Sequence, residues 1–171
     1  MTYDLYGPDT GQYGAPVAVM LESVMAHEVA HQWFYNLVGN DQIEQPWLDE
    51  SLAQFATWQY YADRYGLGAA NGFKASLDAR WARVENADIK VGQPVSAYTA
   101  KEYSAIAYGR GALFFFALRD QMGQEKFDTF MQDYSRQYAW DIATTDGLKS
   151  LAEKDCGCDL TKLFSEWIYA K

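Results

Sequence analysis

The chain has 171 residues and a mass of 19.4 kDa, which is the size of one domain or at most two small ones. Apolar residues make up 49% and aromatic residues 16%, so the chain can close a hydrophobic core, and intrinsic disorder is excluded. The formal net charge is −9, and a surface of that sign repels phosphate backbones, which argues against nucleic-acid binding. No apolar run reaches the length of about 18 residues that a membrane-spanning helix needs, so we expect no membrane span in this chain.

Helical periodicity dominates the sequence, since apolar residues recur three or four positions apart between turn-forming residues. The pattern predicts helices over residues 16–38, from residue 46 until Gly66, across residues 73–84, over residues 102–122, after Gly123 through residue 134, from a cap at Thr144 or Thr145 through residue 151, and from a cap at Asp159 through residue 168. Residues 86–100 form the least regular segment, in which residues 89–95 are the one candidate for a short strand. We therefore expect a mainly α fold, a compact array of about six or seven helices.

The chain has two cysteines, Cys156 and Cys158, with Gly157 between them. A bridge across one intervening residue is strained, and two cysteines cannot form a disulfide framework. The spacing therefore favours two free thiols in a turn, with a redox pair or soft metal ligands as the alternatives.

Residues 27 to 31 read His-Glu-Val-Ala-His and contain both histidines of the chain. Imidazoles at positions i and i+4 lie on one face of a helix, about 6 Å apart along its axis, which suits two ligands of one zinc ion. Glu28 stands beside the first histidine, where it can act on water as a base without binding the metal. Val29 and Ala30 are among the apolar neighbours that predict a helix buried on most sides. The alternative is a pair of surface histidines on an acidic helix.

A zinc ion with two histidine ligands needs a third protein ligand, and a catalytic zinc keeps its fourth position open. Glu50, in the first turn of the next predicted helix, and its neighbour Asp49 are the candidates, and helical phase does not choose between them. Each imidazole in such a site usually donates its other ring N–H to a carboxylate or a carbonyl. Glu22, Gln54 and Asp49 are the nearby candidates for that second role.

The sequence from His27 to Phe34 resembles the zinc helix of the M1 family of metallopeptidases, the gluzincin group that includes aminopeptidase N and leukotriene A4 hydrolase. In the family the third ligand is a glutamate that eighteen intervening residues separate from the second histidine, and it lies in a Trp-Leu-Asn-Glu motif. Residues 47–50 read Trp-Leu-Asp-Glu at that separation, with Asp49 in place of the usual asparagine. The resemblance thus implies that Glu50 is the third zinc ligand.

The segment that begins at Tyr108 reads Tyr-Gly-Arg-Gly and is similar to the family's Tyr-x-Lys-Gly segment, with Arg110 in place of the usual lysine. The resemblance implies that the Tyr108 hydroxyl stabilises the transition state. The alternative is a core phenol, because the chain has 13 tyrosines. Arg110 and Arg119 are expected to be solvated surface arginines, with pairing to cleft carboxylates as the alternative.

The resemblance covers roughly residues 17 to 170 and implies the fold of the thermolysin-like catalytic domain of gluzincins, largely without its β part. It implies zinc-dependent hydrolysis of peptide or protein substrates, with His27, His31 and Glu50 as metal ligands and Glu28 and Tyr108 as catalytic residues. The action expected of the intact protein is that of an aminopeptidase. The alternatives are a zinc endopeptidase and a catalytically silent, zinc-stabilised binding domain.

One departure from the family concerns the segment before the zinc helix. The family's Gly-x-Met-Glu-Asn motif, which binds the amino terminus of the substrate, has no counterpart in residues 1–26, and family members are several times longer. We therefore expect residues 1–171 to form a single catalytic domain, with residues 1–15 as an irregular lead-in, that belongs to a longer protein with an upstream domain.

Overall fold

The computed structural model describes residues 16–169, and the predicted irregular lead-in lies outside them. The helices are α1 (Val17–Ala30), α2 (Trp47–Tyr65), α3 (Leu67–Ala82), α4 (Ala100–Ala105), α5 (Gly111–Met122), α6 (Gln124–Gln137), α7 (Thr145–Cys156) and α8 (Thr161–Trp167). Two short strands, β1 (Val38–Gly39) and β2 (Asp141–Ile142), pair in parallel. The prediction of a mainly α fold is confirmed. Within residues 16–169, no helix combines the length and the hydrophobicity needed to cross a bilayer.

Helix α2 is the centre of the fold and packs against α1, α3 and α5. It begins after Pro46 and ends at Gly66, whose φ of 85° is a conformation that glycine adopts without strain. Its buried residues are Trp47, Leu48, Asp49, Ser51, Leu52, Ala53, Gln54, Phe55, Thr57, Trp58 and Tyr61. The indole N–H of Trp47 donates a hydrogen bond to the Thr145 hydroxyl over 3.1 Å, which fastens the start of α2 to α7.

Helix α1 is apolar but largely exposed, and the prediction that it is buried on most sides is wrong. Of its residues, the structure buries His27 and Ala30, whereas Met25 and Val29 are 51% and 55% exposed. The sequence pattern indicates that the side chains of this helix are apolar, but it does not indicate what packs against them. In residues 16–169, nothing covers the face that carries Met25 and Val29. An open groove of about 750 Å³ runs along this face.

The helix predicted over residues 16–38 ends eight residues early, at Ala30. From there the chain turns, because Asn36 N–H bonds to the His31 carbonyl and Val38 N–H bonds to the Trp33 carbonyl instead of continuing the helical pattern. The turn leads into β1, whose partner β2 lies about a hundred residues later in the chain.

The single helix predicted over residues 102–122 is divided into α4, a π-helical turn over Ile106–Arg110, and α5. The turn fits closely against its neighbours, since a Cβ added at Gly109 would lie 3.1 Å from the Leu77 carbonyl oxygen of α3. A Cβ added at Gly111 would lie 2.1 Å from the Ser51 hydroxyl of α2. Two glycines therefore permit a close approach that a pattern of apolar residues does not reveal.

Arg110 is buried rather than solvated, which corrects the expectation for this residue. Its guanidinium lies between the rings of Trp81 and Trp167, 5.1 and 5.5 Å from their centroids. It donates hydrogen bonds to the Asp88 carboxylate over 2.7 Å and to the Glu166 carbonyl over 3.0 Å. The side chain thus joins α3, the segment that follows it, and the end of α8.

The prediction of two free thiols is also wrong, because Cys156 and Cys158 form a disulfide. Their Cα atoms are 5.2 Å apart, within the range that a disulfide spans. Gly157 between them has a φ of 62° and ends α7 in a left-handed turn, which brings the two side chains to the same side. The predicted cap of this helix is confirmed, since the Thr144 hydroxyl accepts a hydrogen bond from Gly147 N–H.

Candidate metal centre

His27, His31 and Glu50 meet where the last turn of α1 faces the first turn of α2. The His27 Nε2 atom lies 3.1 Å from Glu50 Oε2 and 3.1 Å from His31 Nε2, and the third side of the triangle, from His31 Nε2 to Glu50 Oε2, is 3.5 Å. Among residues 16–169 this is the one group of three or more His, Cys, Asp or Glu side chains that is placed to hold a metal ion.

The triangle has the dimensions of one face of a tetrahedral zinc site. Zinc binds imidazole nitrogen and carboxylate oxygen at about 2.0–2.2 Å, which separates neighbouring ligand atoms by about 3.3 Å. A triangle with the observed sides has a circumradius of about 1.9 Å, so one point can lie about 2.0 Å from all three atoms. Two imidazoles and one carboxylate are also a donor set that zinc prefers, so the residues fit the ion.

The Glu50 carboxylate is held in its charged form. Burial alone would raise its pKa, but hydrogen bonds with His27, His31 and Tyr108 outweigh that effect and lower the pKa to about 2. The hydrogen bond with the same carboxylate raises the pKa of His31 to about 9. Glu50 is therefore an anion at neutral pH, as a metal ligand must be.

The ring of His31 is oriented by backbone. Its Nδ1 atom lies 2.9 Å from the Phe34 carbonyl oxygen, which accepts the Nδ1 proton, so a metal would bind at Nε2 and displace the proton there. Glu22, one of the three candidates for this role, instead accepts hydrogen bonds from the hydroxyls of Tyr60 and Tyr65. The Nδ1 atom of His27 is buried without a hydrogen-bond partner among residues 16–169.

Asp49 does not join the triangle. Its carboxylate accepts hydrogen bonds from the side-chain amides of Asn40 and Gln42, over 3.1 and 3.0 Å, and from the backbone N–H of Glu50. Burial raises the pKa of Asp49. The residue therefore fixes the loop after β1 to the start of α2, and it is neither the third member of the triangle nor a partner of the histidines.

Tyr108 reaches the same cluster from the π-helical turn. Its hydroxyl donates a short hydrogen bond to Glu50 Oε1, and its ring lies 5.8 Å from the ring of His27. Burial and the Glu50 carboxylate raise the pKa of Tyr108 above its ordinary range, so the hydroxyl stays protonated and remains a donor. Isolated π-helical turns are frequent at functional sites because they shift one side chain out of the helical register.

The position of Tyr108 is fixed from α2 as well. The hydroxyl of Ser51, which is fully buried, donates a hydrogen bond of 2.8 Å to the carbonyl of Ala107. Ser51 follows Glu50 in the chain and Ala107 precedes Tyr108. One side chain therefore connects the backbone next to the carboxylate with the backbone next to the phenol.

All five residues singled out in the sequence line one cavity of about 300 Å³. The two histidines, Glu50 and Tyr108 form its polar end, and Glu28 lies on its wall with an exposed side chain. Sequence reasoning missed Arg80 of α3, which lines the same cavity. Arg80 belongs to no motif, and only the packing of α3 against the π-helical turn brings it here.

Comparison with known proteins decides the family. Residues 9–167 match the sequence model of a protein family described as the Peptidase family M1 domain. The chain belongs to peptidase family M1. Among its M1 relatives, Aminopeptidase M1 of Arabidopsis thaliana is 30% identical over 156 residues, which are 87% of this chain and 17% of that protein. Leucyl aminopeptidase of Saccharolobus solfataricus is 25% identical over 152 residues, 85% of this chain and 19% of that protein.

Solved M1 structures share the fold. An M1 zinc metallopeptidase from Deinococcus radiodurans, crystallised with a Tyr-Ser-Ala substrate, superimposes with a TM-score of 0.70 at 25% identity. The match covers 90% of this chain and 34% of that one. The expected likeness to the catalytic domain of the family, largely without its β part, is thereby confirmed. The chain spans about a fifth of the length of the curated relatives it matches, between 17% and 20% in those compared.

Proposed function

We propose that this chain is the zinc-binding part of a peptidase that hydrolyses peptide bonds, and that His27, His31 and Glu50 hold the zinc. The triangle of three ligand atoms, 3.1 to 3.5 Å apart, carries the proposal. The solved M1 relative from Deinococcus radiodurans is named a zinc metallopeptidase, which supports zinc over other divalent ions.

Zinc bound by these residues would supply a Lewis acid that lowers the pKa of water and polarises the carbonyl of the substrate. Glu28 takes the proton of the attacking water and passes it to the leaving amine, a role that suits a carboxylate on the cavity wall. The Tyr108 hydroxyl donates a hydrogen bond to the carbonyl oxygen as negative charge develops there. Its hydrogen bond to Glu50 supports this role, because it places the phenol beside the proposed ligands.

We further propose that the action is that of an aminopeptidase within a longer protein. Several relatives matched over most of this chain are named aminopeptidases, among them those of Arabidopsis thaliana and Saccharolobus solfataricus. The peptide crystallised with the Deinococcus radiodurans relative, Tyr-Ser-Ala, is short enough for such an enzyme. A zinc endopeptidase and a silent binding domain are the outcomes that the test must separate from it.

The test compares the zinc-loaded chain with its Glu28→Gln variant on three substrates: alanine p-nitroanilide, its N-acetylated form, and an N-acetylated fluorogenic peptide library. We expect cleavage of the unblocked anilide alone, and a kcat at least about 100-fold lower in the variant at equal zinc content, because the variant lacks the base. Glu125→Gln, on the exposed surface of α6, is the matched control. Cleavage of blocked substrates would indicate an endopeptidase. Zinc binding without cleavage of any substrate, by this chain and by the longer protein that contains it, would favour the silent domain.

A further inference from the structure

Arg80 lines the cavity of the metal cluster, where the Glu50 carboxylate acts on its charge without forming an ion pair with it. Its guanidinium lies over the ring of Tyr108, 5.7 Å from the centroid. Among residues 16–169, no carboxylate forms an ion pair or a hydrogen bond with this side chain. Burial lowers the pKa of Arg80, because the charged guanidinium has lost part of its water. A half-buried guanidinium that the Glu50 charge compensates only at a distance can still accept an anion in direct contact.

A second cation lies further along the same groove. A cavity of about 500 Å³ continues from the metal cavity between α1 and α3, with Met20, Ser23, Phe73 and Arg80 in the walls of both. This continuation also contains Arg83, and no carboxylate among residues 16–169 pairs with it either.

The carboxylate in this second cavity is already engaged. Glu22 accepts hydrogen bonds from the hydroxyls of Tyr60 and Tyr65. In a chain of net charge −9, two arginines therefore face one groove that leads away from the metal cluster. Their own repulsion adds to the cost of holding them there, since Arg83 also lowers the pKa of Arg80.

We propose that Arg80 binds a carboxylate of the substrate, an assignment that rests on the peptidase function proposed above. An extended peptide advances about 3.3–3.6 Å per residue, so a carboxylate one or two residues beyond the cleaved bond lies about 3.5–7 Å from it. Arg80 lies on the path that such a peptide would follow, because it lines the metal cavity and its guanidinium lies over the ring of Tyr108, whose hydroxyl donates a hydrogen bond to Glu50. The planar guanidinium can bind both oxygens of a carboxylate at once.

A short peptide can offer Arg80 a carboxylate from two places. Every unmodified peptide ends in an α-carboxylate, and a peptide that begins with an acidic residue also has a side-chain carboxylate near the cleaved bond. Two matched pairs of probes separate these sources. Ala-Ala-Ala and its C-terminal amide differ in the α-carboxylate alone, and the amides of Glu-Ala-Ala and Gln-Ala-Ala differ in the side-chain carboxylate alone.

The experiment measures dissociation constants by calorimetry with zinc-loaded Glu28→Gln protein, so that no turnover is required. We expect Ala-Ala-Ala to bind at least about 10-fold more tightly than its amide, the usual effect of a charge-assisted hydrogen bond. Adding Arg80→Gln should bring that ratio close to one. Arg80→Lys keeps the charge without the planar fork and should give an intermediate ratio, and it replaces the Gln variant if that variant does not fold. Arg136→Gln, on the exposed face of α6, is the control and should leave the ratio unchanged.

Arg80→Gln could instead abolish only the tighter binding of the Glu-Ala-Ala amide over the Gln-Ala-Ala amide. That result would identify the carboxylate as the side chain of the N-terminal residue and would still support the proposal. A parent protein that distinguishes neither pair, or that binds none of the probes, would overturn it. A preference that survives both Arg80 variants would overturn it as well. Zinc content and anilide cleavage, measured with Glu28 intact, test the proposed function separately, because the binding ratios are measured without turnover.

Discussion

The two helices that carry the candidate metal ligands differ in how the fold holds them. Helix α2 is buried on most of its surface, and Glu50 projects from its first turn. Helix α1 supplies His27, and His31 caps its C-terminal end, but the helix buries few of its own side chains, with Met25 and Val29 more than half exposed. The carboxylate is therefore placed by the hydrophobic core, whereas the histidines lie on a helix that the described residues cover on one side only. A bound ion would tie the weakly packed helix to the strongly packed one.

The difference in burial predicts very different costs for truncating large apolar side chains on the two helices. Trp47→Ala should lower the free energy of unfolding by about 3–5 kcal/mol, because it removes a fully buried ring and its hydrogen bond to Thr145. Met25→Ala on α1 should change it by about 0.5 kcal/mol or less. Urea denaturation of the parent and of both variants measures the two losses of unfolding free energy. Equal losses would show that α1 is packed as firmly as α2.

Tyr108, like Glu50, is held by the buried part of the fold, so its substitution tests the better-packed half of the cluster. Tyr108→Phe removes the hydroxyl but keeps the ring, so a bond made only in the transition state would be lost while the cavity wall stays. We expect kcat to fall on the order of 100-fold with little change in KM. Steady-state kinetics on alanine p-nitroanilide measure both values. A variant as fast as the parent would exclude the phenol from the reaction.

Substitution of Ser51 tests the same part of the cluster, with a smaller expected effect on kcat. Ser51→Ala leaves the Ala107 carbonyl buried without its partner, which should cost about 1–2 kcal/mol of stability. Because the lost bond fixes the turn that carries Tyr108, kcat should fall as well, by about 10-fold or less, while zinc binding stays intact. Ser150→Ala, at an exposed position of α7, is the matched control. An unchanged kcat would mean that the close packing at Gly109 and Gly111 is enough to position the phenol.

The residues that could be predicted are those whose geometry is local. His27 and His31 share a face because four positions make about one helical turn, and the start of α2 at Pro46 follows from the proline and the acidic residues after it. A cap at Thr144 or Thr145 is predictable because capping also involves only neighbouring residues, and the structure places it at Thr144. The choice of Glu50 over Asp49 came from the family resemblance, since both residues lie in the same turn.

What could not be predicted depends on contacts between distant segments. The exposure of α1 depends on what packs against it, which its own apolar sequence does not contain. The π-helical turn depends on Ser51 and on the close approach of α3 to Gly109. The disulfide depends on the backbone conformation of Gly157, and the place of Arg80 depends on the packing of α3.

The most direct test counts the zinc in purified protein and in two neighbouring variants, by mass spectrometry of the native chain. The account predicts one zinc per chain in the parent, one in Asp49→Asn, and none in Glu50→Ala, because Glu50 is in the ligand triangle while Asp49 binds Asn40 and Gln42. A parent without zinc, or a Glu50→Ala variant that keeps it while Asp49→Asn loses it, would contradict the account.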